Sequence, residues 1–161
     1  MHSIRILALA TALFASCASA QQFTAGDIVV DHPWARATPK GATVGAGYLT
    51  LRNNGSAADA LTAIESDTAG SAQMHESKMD GGVMRMDEIS SLSIPPGDAV
   101  VFKPGGYHVM FVDLKAPFRK GGHFSATLTF EHAGKVAVDF TIEGPGASAP
   151  ASRWKPCRAW K

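Results

Sequence analysis

The segment at residues 123–142 reads HFSATLTFEHAGKVAVDFTI, two alternating runs joined by a short turn. Apolar side chains occupy every second position from 124 to 130, and again from 136 to 142. A period of two is typical of a strand that buries one of its faces. Because the triplet His-Ala-Gly at 132–134 is compatible with a turn, the sequence predicts a β-hairpin here.

Short strands separated by turns also fill the rest of the chain. Turn signals built from glycine, proline or asparagine lie at 53–55, 95–97 and 103–106. No stretch carries the long apolar stripe with capping residues that predicts a helix. The pattern therefore predicts an all-β fold, an antiparallel β-sandwich or barrel. The further strand candidates are residues 28–30, 47–52, 60–64, 83–89, 99–102 and 108–114.

The first twenty residues have the pattern of a secretory signal peptide. Arg5 precedes an uncharged apolar run at 6–14 that is too short to span a bilayer, and residues 18–20 form a small-residue cleavage signal. We therefore predict a signal peptide at 1–20 and export to the periplasm. In an alternative interpretation Cys17 belongs to a lipobox and carries a lipid anchor, and the protein is exported in either case.

The remaining chain divides into one domain and a tail. Residues 21–143 hold the predicted strands and are long enough for one hydrophobic core. A linker rich in Gly, Pro, Ala and Ser then leads into a basic end with Trp154, Cys157 and Trp160, so we predict residues 144–161 to be flexible. Without the signal peptide the chain has fourteen basic and fourteen acidic residues. This balance argues against nucleic acid or an anionic membrane as the partner, and we expect a monomer without a membrane span.

The methionines are concentrated in one region, since all of them after the first residue lie within 74–110. Ten residues separate His75 from Met86, twenty-one separate Met86 from His108, and His108 and Met110 are two apart. Residues two apart on a strand share a face. Thioether sulfur is a soft ligand and imidazole a borderline one, so two of each favour Cu(I) over zinc, magnesium or calcium. The sequence predicts a Cu(I) site.

The ligand chemistry alone leaves the choice of the first methionine open. Met74, Met79 and Met84 are as suitable as Met86, and any single methionine could instead fill a gap in the core. We expect His75 to begin the connection that leads to the strand at 83–89, so that two strand ends and a loop meet at one edge of the sandwich. Because protons compete with the metal for imidazole, copper binding should weaken below about pH 6.

The other three histidines beyond the predicted signal peptide have no soft neighbour at a suggestive spacing. His32 precedes a Pro-Trp pair, and His123 begins a predicted strand on its polar face. We interpret these two and His132 as structural or solvent-facing residues.

The spacing of the four ligand candidates resembles the signature of the periplasmic copper chaperone family PCu(A)C: His, ten residues, Met, twenty-one residues, His-x-Met. The flanking sequence is similar too, and the resemblance extends over residues 27–142. The similar flanks are WARAT at 34–38, GYLTL at 47–51, DGGVMRM at 80–86 and KPGGYHVM at 103–110.

This resemblance implies a cupredoxin-like Greek-key antiparallel β-sandwich that holds one Cu(I) at its surface. Carried over residue by residue, the ligands are His75, Met86, His108 and Met110, which favours Met86 over the other methionines. The resemblance also implies delivery of copper to cytochrome c oxidase, at the binuclear copper site of its subunit II. The partner would be that subunit or another copper chaperone.

Other function classes fit the sequence less well. Copper sequestration for tolerance would use the same binding chemistry as delivery and is the main alternative. An electron-transfer cupredoxin needs a cysteine thiolate beside two histidines, whereas Cys157 lies in the predicted tail. No Cys-x-x-Cys and no nucleophile or paired-acid arrangement points to catalysis, so we expect no enzyme.

Overall fold

The computed structural model describes residues 21–150, and these form eleven β-strands and no helix. Accordingly, the described residues contain no helix that is long and apolar enough to cross a membrane. The strands are β1 (Gln22–Ala25), β2 (Ile28–Arg36), β3 (Val44–Asn53), β4 (Asp59–Glu65), β5 (Ser71–Asp80), β6 (Val83–Ile89), β7 (Leu92–Ile94), β8 (Ala99–Val101), β9 (Tyr107–Val112), β10 (His123–Phe130) and β11 (Gly134–Glu143).

Hydrogen bonding runs in a closed circuit through seven of the strands. The order is β2-β11-β10-β4-β5-β9-β3, and β3 then pairs with β2 again. The circuit includes one parallel pair, β11 with β2; the others are antiparallel. Each of the four remaining strands pairs with one strand of this circuit. Among them, β6 pairs with β5. The predicted all-β, cupredoxin-like sandwich is confirmed, with one parallel pair where we expected only antiparallel ones.

Strand β2 changes partner halfway along its length. Its first half pairs with β1 and its last three residues pair with β11, while β3 follows the other edge. The register is interrupted between Asp31 and Trp34, where His32 has a φ of 49° and Pro33 has no N–H to donate. This irregularity lets one strand join both sides of the sandwich.

Four phenylalanines fill the core beneath β3. The rings of Phe111, Phe118, Phe124 and Phe140 pack edge-on or stacked, with centroids between 4.5 and 5.9 Å apart. Gly47 lies directly against them: a Cβ at this position would come within 2.7 Å of Phe111 Cε2. Gly45 is equally close to Phe118, so the first half of β3 has room only for glycine on its inward face, whereas Leu49 and Leu51 fill that face in its second half.

The hairpin at 123–142 forms as predicted, and every other strand candidate lies in or overlaps an observed strand. The prediction of a connection at His75 was wrong, because this residue lies in the middle of β5. Strand β5 contains no β-branched residue and shows no clear alternation, so its own sequence gives little sign of a strand. It forms because β9 and β6 pair with its two edges.

The start of the predicted tail packs against the domain. The Ala147 N–H donates to the Gly144 carbonyl over 3.0 Å, and Arg36 Nε donates to the Ala147 carbonyl over 2.8 Å. Residues 144–147 therefore form a turn held against β2, and the flexibility predicted for residues 144–161 stays a prediction. The predicted signal peptide and residues 151–161, with Cys157, lie outside the described residues, and their assignments stay predictions.

Candidate metal centre

The two histidines of the predicted ligand set lie directly opposite each other. His75 on β5 pairs with His108 on β9 in an antiparallel register, and the centroids of their rings are 5.7 Å apart. Side chains of directly opposed residues leave the same face of a sheet. The register thus brings together two residues that are far apart in sequence.

The two methionines occupy diagonal positions around His75 on the same face. Met110 pairs with Gln73 on β9, and Met86 pairs with Ser77 on β6, so each is displaced from His75 by one same-face position. Diagonal neighbours have Cα atoms about 7–8 Å apart, within reach of long side chains. One sheet face therefore carries all four predicted ligands on three adjacent strands. The expected convergence of two strand ends and a loop was wrong.

A cleft of about 340 Å³, here called the methionine cleft, opens over this face. His108 is buried on its floor at 7% exposure, Met110 is partly buried, and Met86 is 56% exposed at the rim. His75 does not line the cleft itself and adjoins it through His108. The lining residues are Arg36, Thr38, Val44, Gly45, Ala46, Tyr48, Ser77, Met84, Met86, Pro104, Gly105, His108 and Met110.

Hydrogen bonds fix which nitrogen of each imidazole keeps a free lone pair. His108 Nδ1 lies 3.0 Å from the Gly106 carbonyl, which can only accept, so Nδ1 carries the proton and Nε2 is left as the donor to a metal. His75 Nε2 lies 3.3 Å from Gln73 Oε1, and with the amide in this orientation Nε2 carries the proton.

The other nitrogen of His75 has no partner. His75 Nδ1 is buried and makes no hydrogen bond. An unsatisfied buried acceptor costs about 1–3 kcal/mol, so such atoms commonly mark a site for a ligand or ion. His75 lies on the same sheet face as His108 and the two methionines, so its unpartnered nitrogen fits the role of a metal ligand.

The methionine cleft offers little to a hard cation. Its lining includes no carboxylate, and its one formal charge is Arg36. Across residues 21–150, no group of three or more His, Cys, Asp or Glu side chains could hold a metal ion. Calcium and magnesium need oxygen ligands, and zinc prefers nitrogen, thiolate or carboxylate ligands. The donor set therefore fits a soft monovalent ion.

One basic and one aromatic residue, Arg36 and Tyr48, line one side of the cleft and were missed by the sequence prediction. The Arg36 guanidinium lies 5.7 Å from the centroid of the Tyr48 ring, and the Trp34 ring packs against Tyr48 in a tilted arrangement with 4.5 Å between the ring centroids. Burial raises the pKa of Tyr48, and the positive charge of Arg36 opposes this rise. Arg36 was quoted only as part of the WARAT motif, and nothing in its spacing indicated that it would face the site.

The structure narrows the choice among the other methionines. Met74 points into the core at 5% exposure, so it is core filler. Met84 lines the methionine cleft with Met86, and Met79 is opposite Met84 near the tip of the β5–β6 hairpin. His32, His123 and His132 do not line the cleft, and His132 pairs with Asp59 at 3.4 Å.

Comparison with known proteins agrees with the fold of this chain. Residues 28–142 match the family model described as LpqE-like. The apo PCuAC domain of PmoF2 superposes with a TM-score of 0.69 at 31% identity, covering 80% of this chain and 99% of that domain.

The chain belongs to the PCu(A)C family.

Other relatives of this PCu(A)C domain include copper-loaded structures. The copper-bound PCuAC domain of PmoF2 has a TM-score of 0.67 at 31% identity, with 77% of this chain and 98% of that one covered. Cu(I)-loaded DR1885 of Deinococcus radiodurans has a TM-score of 0.58 at 25% identity, with 70% and 75% covered. Lxx21020 of Leifsonia xyli subsp. xyli is 35% identical over 120 residues, 74% of this chain and 71% of that protein.

Proposed function

We propose that this PCu(A)C domain is a periplasmic metallochaperone that binds one Cu(I) through His75, Met86, His108 and Met110. The observation that carries the proposal is the strand register, which places His75 opposite His108 with both methionines diagonal to it. The similarity to the copper-bound PmoF2 domain and to Cu(I)-loaded DR1885 supports the choice of metal. The proposed role is carriage of the ion, not catalysis.

The electronic character of the ligands supports the oxidation state. Two thioethers and two neutral imidazoles add no charge, so the loaded site keeps the single positive charge of Cu(I). Soft sulfur ligands prefer Cu(I) to the harder divalent ions. The tautomers inferred above leave one free lone pair on each imidazole, His75 Nδ1 and His108 Nε2. A Cu(II) electron-transfer site would need a thiolate, and residues 21–150 contain no cysteine.

The openness of the cleft supports transfer over permanent storage. Met86 stands at the rim more than half exposed, while His108 lies at the buried end. An acceptor's ligands can therefore approach from the Met86 side before the histidines release the ion. Thioethers are comparatively weak ligands, which suits such an exchange. We propose the binuclear copper site of cytochrome c oxidase subunit II as the acceptor, because the family resemblance points to it.

The predicted signal peptide supports the periplasmic location. Both the family description and the name of the Leifsonia xyli relative contain the word lipoprotein, which agrees with export. We infer that export brings the domain into the same compartment as its proposed acceptor.

Anaerobic copper transfer tests this function. The Cu(I)-loaded domain is mixed with apo subunit II, the proteins are separated, and copper is measured in each. Delivery predicts that copper moves to subunit II, and that a domain carrying His108→Ala delivers much less because it binds Cu(I) more weakly. Tight binding with all copper retained would refute delivery and favour sequestration. Failure to bind Cu(I) at all would refute the proposal entirely.

A further inference from the structure

The β5–β6 hairpin carries more thioethers than the proposed ligand set uses. Met79 and Met84 pair directly across the hairpin, and Met86 is the next residue along β6 on the same face. The three side chains are 67%, 57% and 56% exposed, respectively. Methionine is unusual at these positions, because the solvent-facing positions of a hairpin are ordinarily polar.

The two faces of the hairpin differ sharply in chemistry. The face with Met79, Met84 and Met86 is continuous with the methionine cleft. The opposite face carries charged residues joined by exposed ion pairs, Lys78 with Glu76 at 2.7 Å and Arg85 with Asp80 at 3.5 Å. Exposure alone would tolerate polar residues on both faces. Apart from Met74, which is buried in the core, the methionines of the hairpin lie on the face that leads to the proposed copper ligands.

The spacing of the three methionines allows them to share one ion. Directly opposed residues such as Met79 and Met84 have Cβ atoms about 4.5–5.5 Å apart. Met84 and Met86 are separated by two strand positions, about 6.8 Å. Each side chain has three rotatable bonds and no branch, so the sulfur atoms can converge from these distances.

We propose that Met79, Met84 and Met86 form a second, weaker soft-metal site that receives Cu(I) before the His75–His108 site. In the transfer step the ion keeps its bond to Met86, loses those to Met79 and Met84, and gains those to His75, His108 and Met110. No electron or proton moves, because all ligands are neutral in both states. The receiving site itself stands on the hairpin alone, whereas the direction of transfer rests on the proposed function.

Methionine-methyl NMR with Ag(I) tests the site directly. Silver(I) is a soft monovalent ion like Cu(I) and does not undergo oxidation in air. The mature chain is labelled with ¹³C at the methionine methyl groups and titrated with Ag(I). The first equivalent should shift Met86 and Met110. The second, which finds Met86 already bound, should bind more weakly through Met79 and Met84 and shift those two. Met74 is the internal control, since its buried side chain should not respond to either.

The pattern of shifts separates this inference from the proposed function. Shifts of Met110 without any shift of Met79 and Met84 would overturn the second site and leave the proposed ligand set standing. Shifts of Met79 and Met84 without Met110 would support the second site and overturn that ligand set. In a chain with His108→Ala, the first equivalent should move to Met79 and Met84.

Leucine substitutions separate the role of sulfur from that of an apolar surface. Met79→Leu with Met84→Leu keeps the hairpin apolar and removes two thioethers, and Met74→Leu is the matched control. The double variant should lose the second equivalent of Ag(I), keep the affinity for the first, and load more slowly from a weak Cu(I) donor. Loading at the wild-type rate with both equivalents retained would overturn the proposal.

Discussion

The rings of His75 and His108 face each other across two antiparallel strands, with 5.7 Å between their centroids. Loss of a residue that only orients a metal ligand lowers metal affinity by about 10- to 100-fold. If both histidines bind Cu(I) directly, His108→Ala should lower the Cu(I) affinity by at least this factor. Anaerobic competition against a Cu(I) chelator measures the affinity. His123→Ala, an exposed site on β10, is the control and should bind as the wild type does.

Substitution by leucine should lower the Cu(I) affinity at Met86 but not at Met74. Met86→Leu removes an exposed thioether and should lower the Cu(I) affinity by at least about tenfold without changing the free energy of unfolding. Met74→Leu should leave the affinity unchanged and alter the free energy of unfolding by less than about 1.5 kcal/mol, since the swap nearly conserves volume. Chelator competition and urea denaturation give the two quantities. Equal affinities for the two variants would contradict the assignment of Met86.

Asp59 should make the stability of the fold depend on pH. Burial acts to raise the pKa of this carboxyl, but hydrogen bonds from the backbone amides of His132, Ala60 and Ala133 and from the His132 ring prevail, so its pKa is lowered. A lowered pKa stabilises the folded state above the unfolded value, and this stability is lost as the pH falls through the folded value. Unfolding should therefore become easier as the pH drops below about 4.

Asp59→Asn tests this dependence. At pH 7 the variant should lose about 1–3 kcal/mol of stability, because a charged acceptor of buried N–H groups becomes a neutral one. Its free energy of unfolding should also change less below pH 4 than that of the wild type. Asp98→Asn is a matched control at an exposed position. A pH profile that is parallel for wild type and Asp59→Asn would show that the carboxylate does not stabilise the fold.

Gly47→Ala should destabilise the sandwich. The added Cβ would lie 2.7 Å from Phe111 Cε2 and 3.0 Å from Phe140 Cε1, both in the packed core. Overpacking costs about 1–3 kcal/mol, which exceeds the gain of about 0.4–1 kcal/mol from restricting the unfolded chain. Gly144→Ala, where nothing lies within 4 Å, is the control for thermal denaturation. A melting temperature equal to the wild type would show that the rings can shift freely.

The fold and the ligand candidates could be read from local pattern. Alternation identifies β10 and β11 because their inner residues are apolar and their outer residues polar. The His-x-Met of β9 could be placed on one face because a strand repeats every two residues. The choice of Met86 came from the resemblance to the PCu(A)C signature, and the sheet places this residue on one face with His75, His108 and Met110.

Features that depend on neighbouring strands could not be predicted in this way. Strand β5 has no strand-forming composition and owes its conformation to β9 and β6. The register that sets His75 against His108 is a long-range property of that pairing. The orphaned His75 Nδ1 and the stacking of Arg36 on Tyr48 require the packed structure, since both depend on segments distant in sequence.

The exposure of the hairpin methionines also determines how this molecule would be damaged. Peroxide and related species turn accessible thioethers into sulfoxides, which are polar and no longer soft donors. Met79, Met84 and Met86 would be attacked well before the sheltered Met74, and the sandwich would keep its shape while losing its affinity. Such a protein would look intact by circular dichroism yet be inactive, and recovery would depend on reductases that act on methionine sulfoxide.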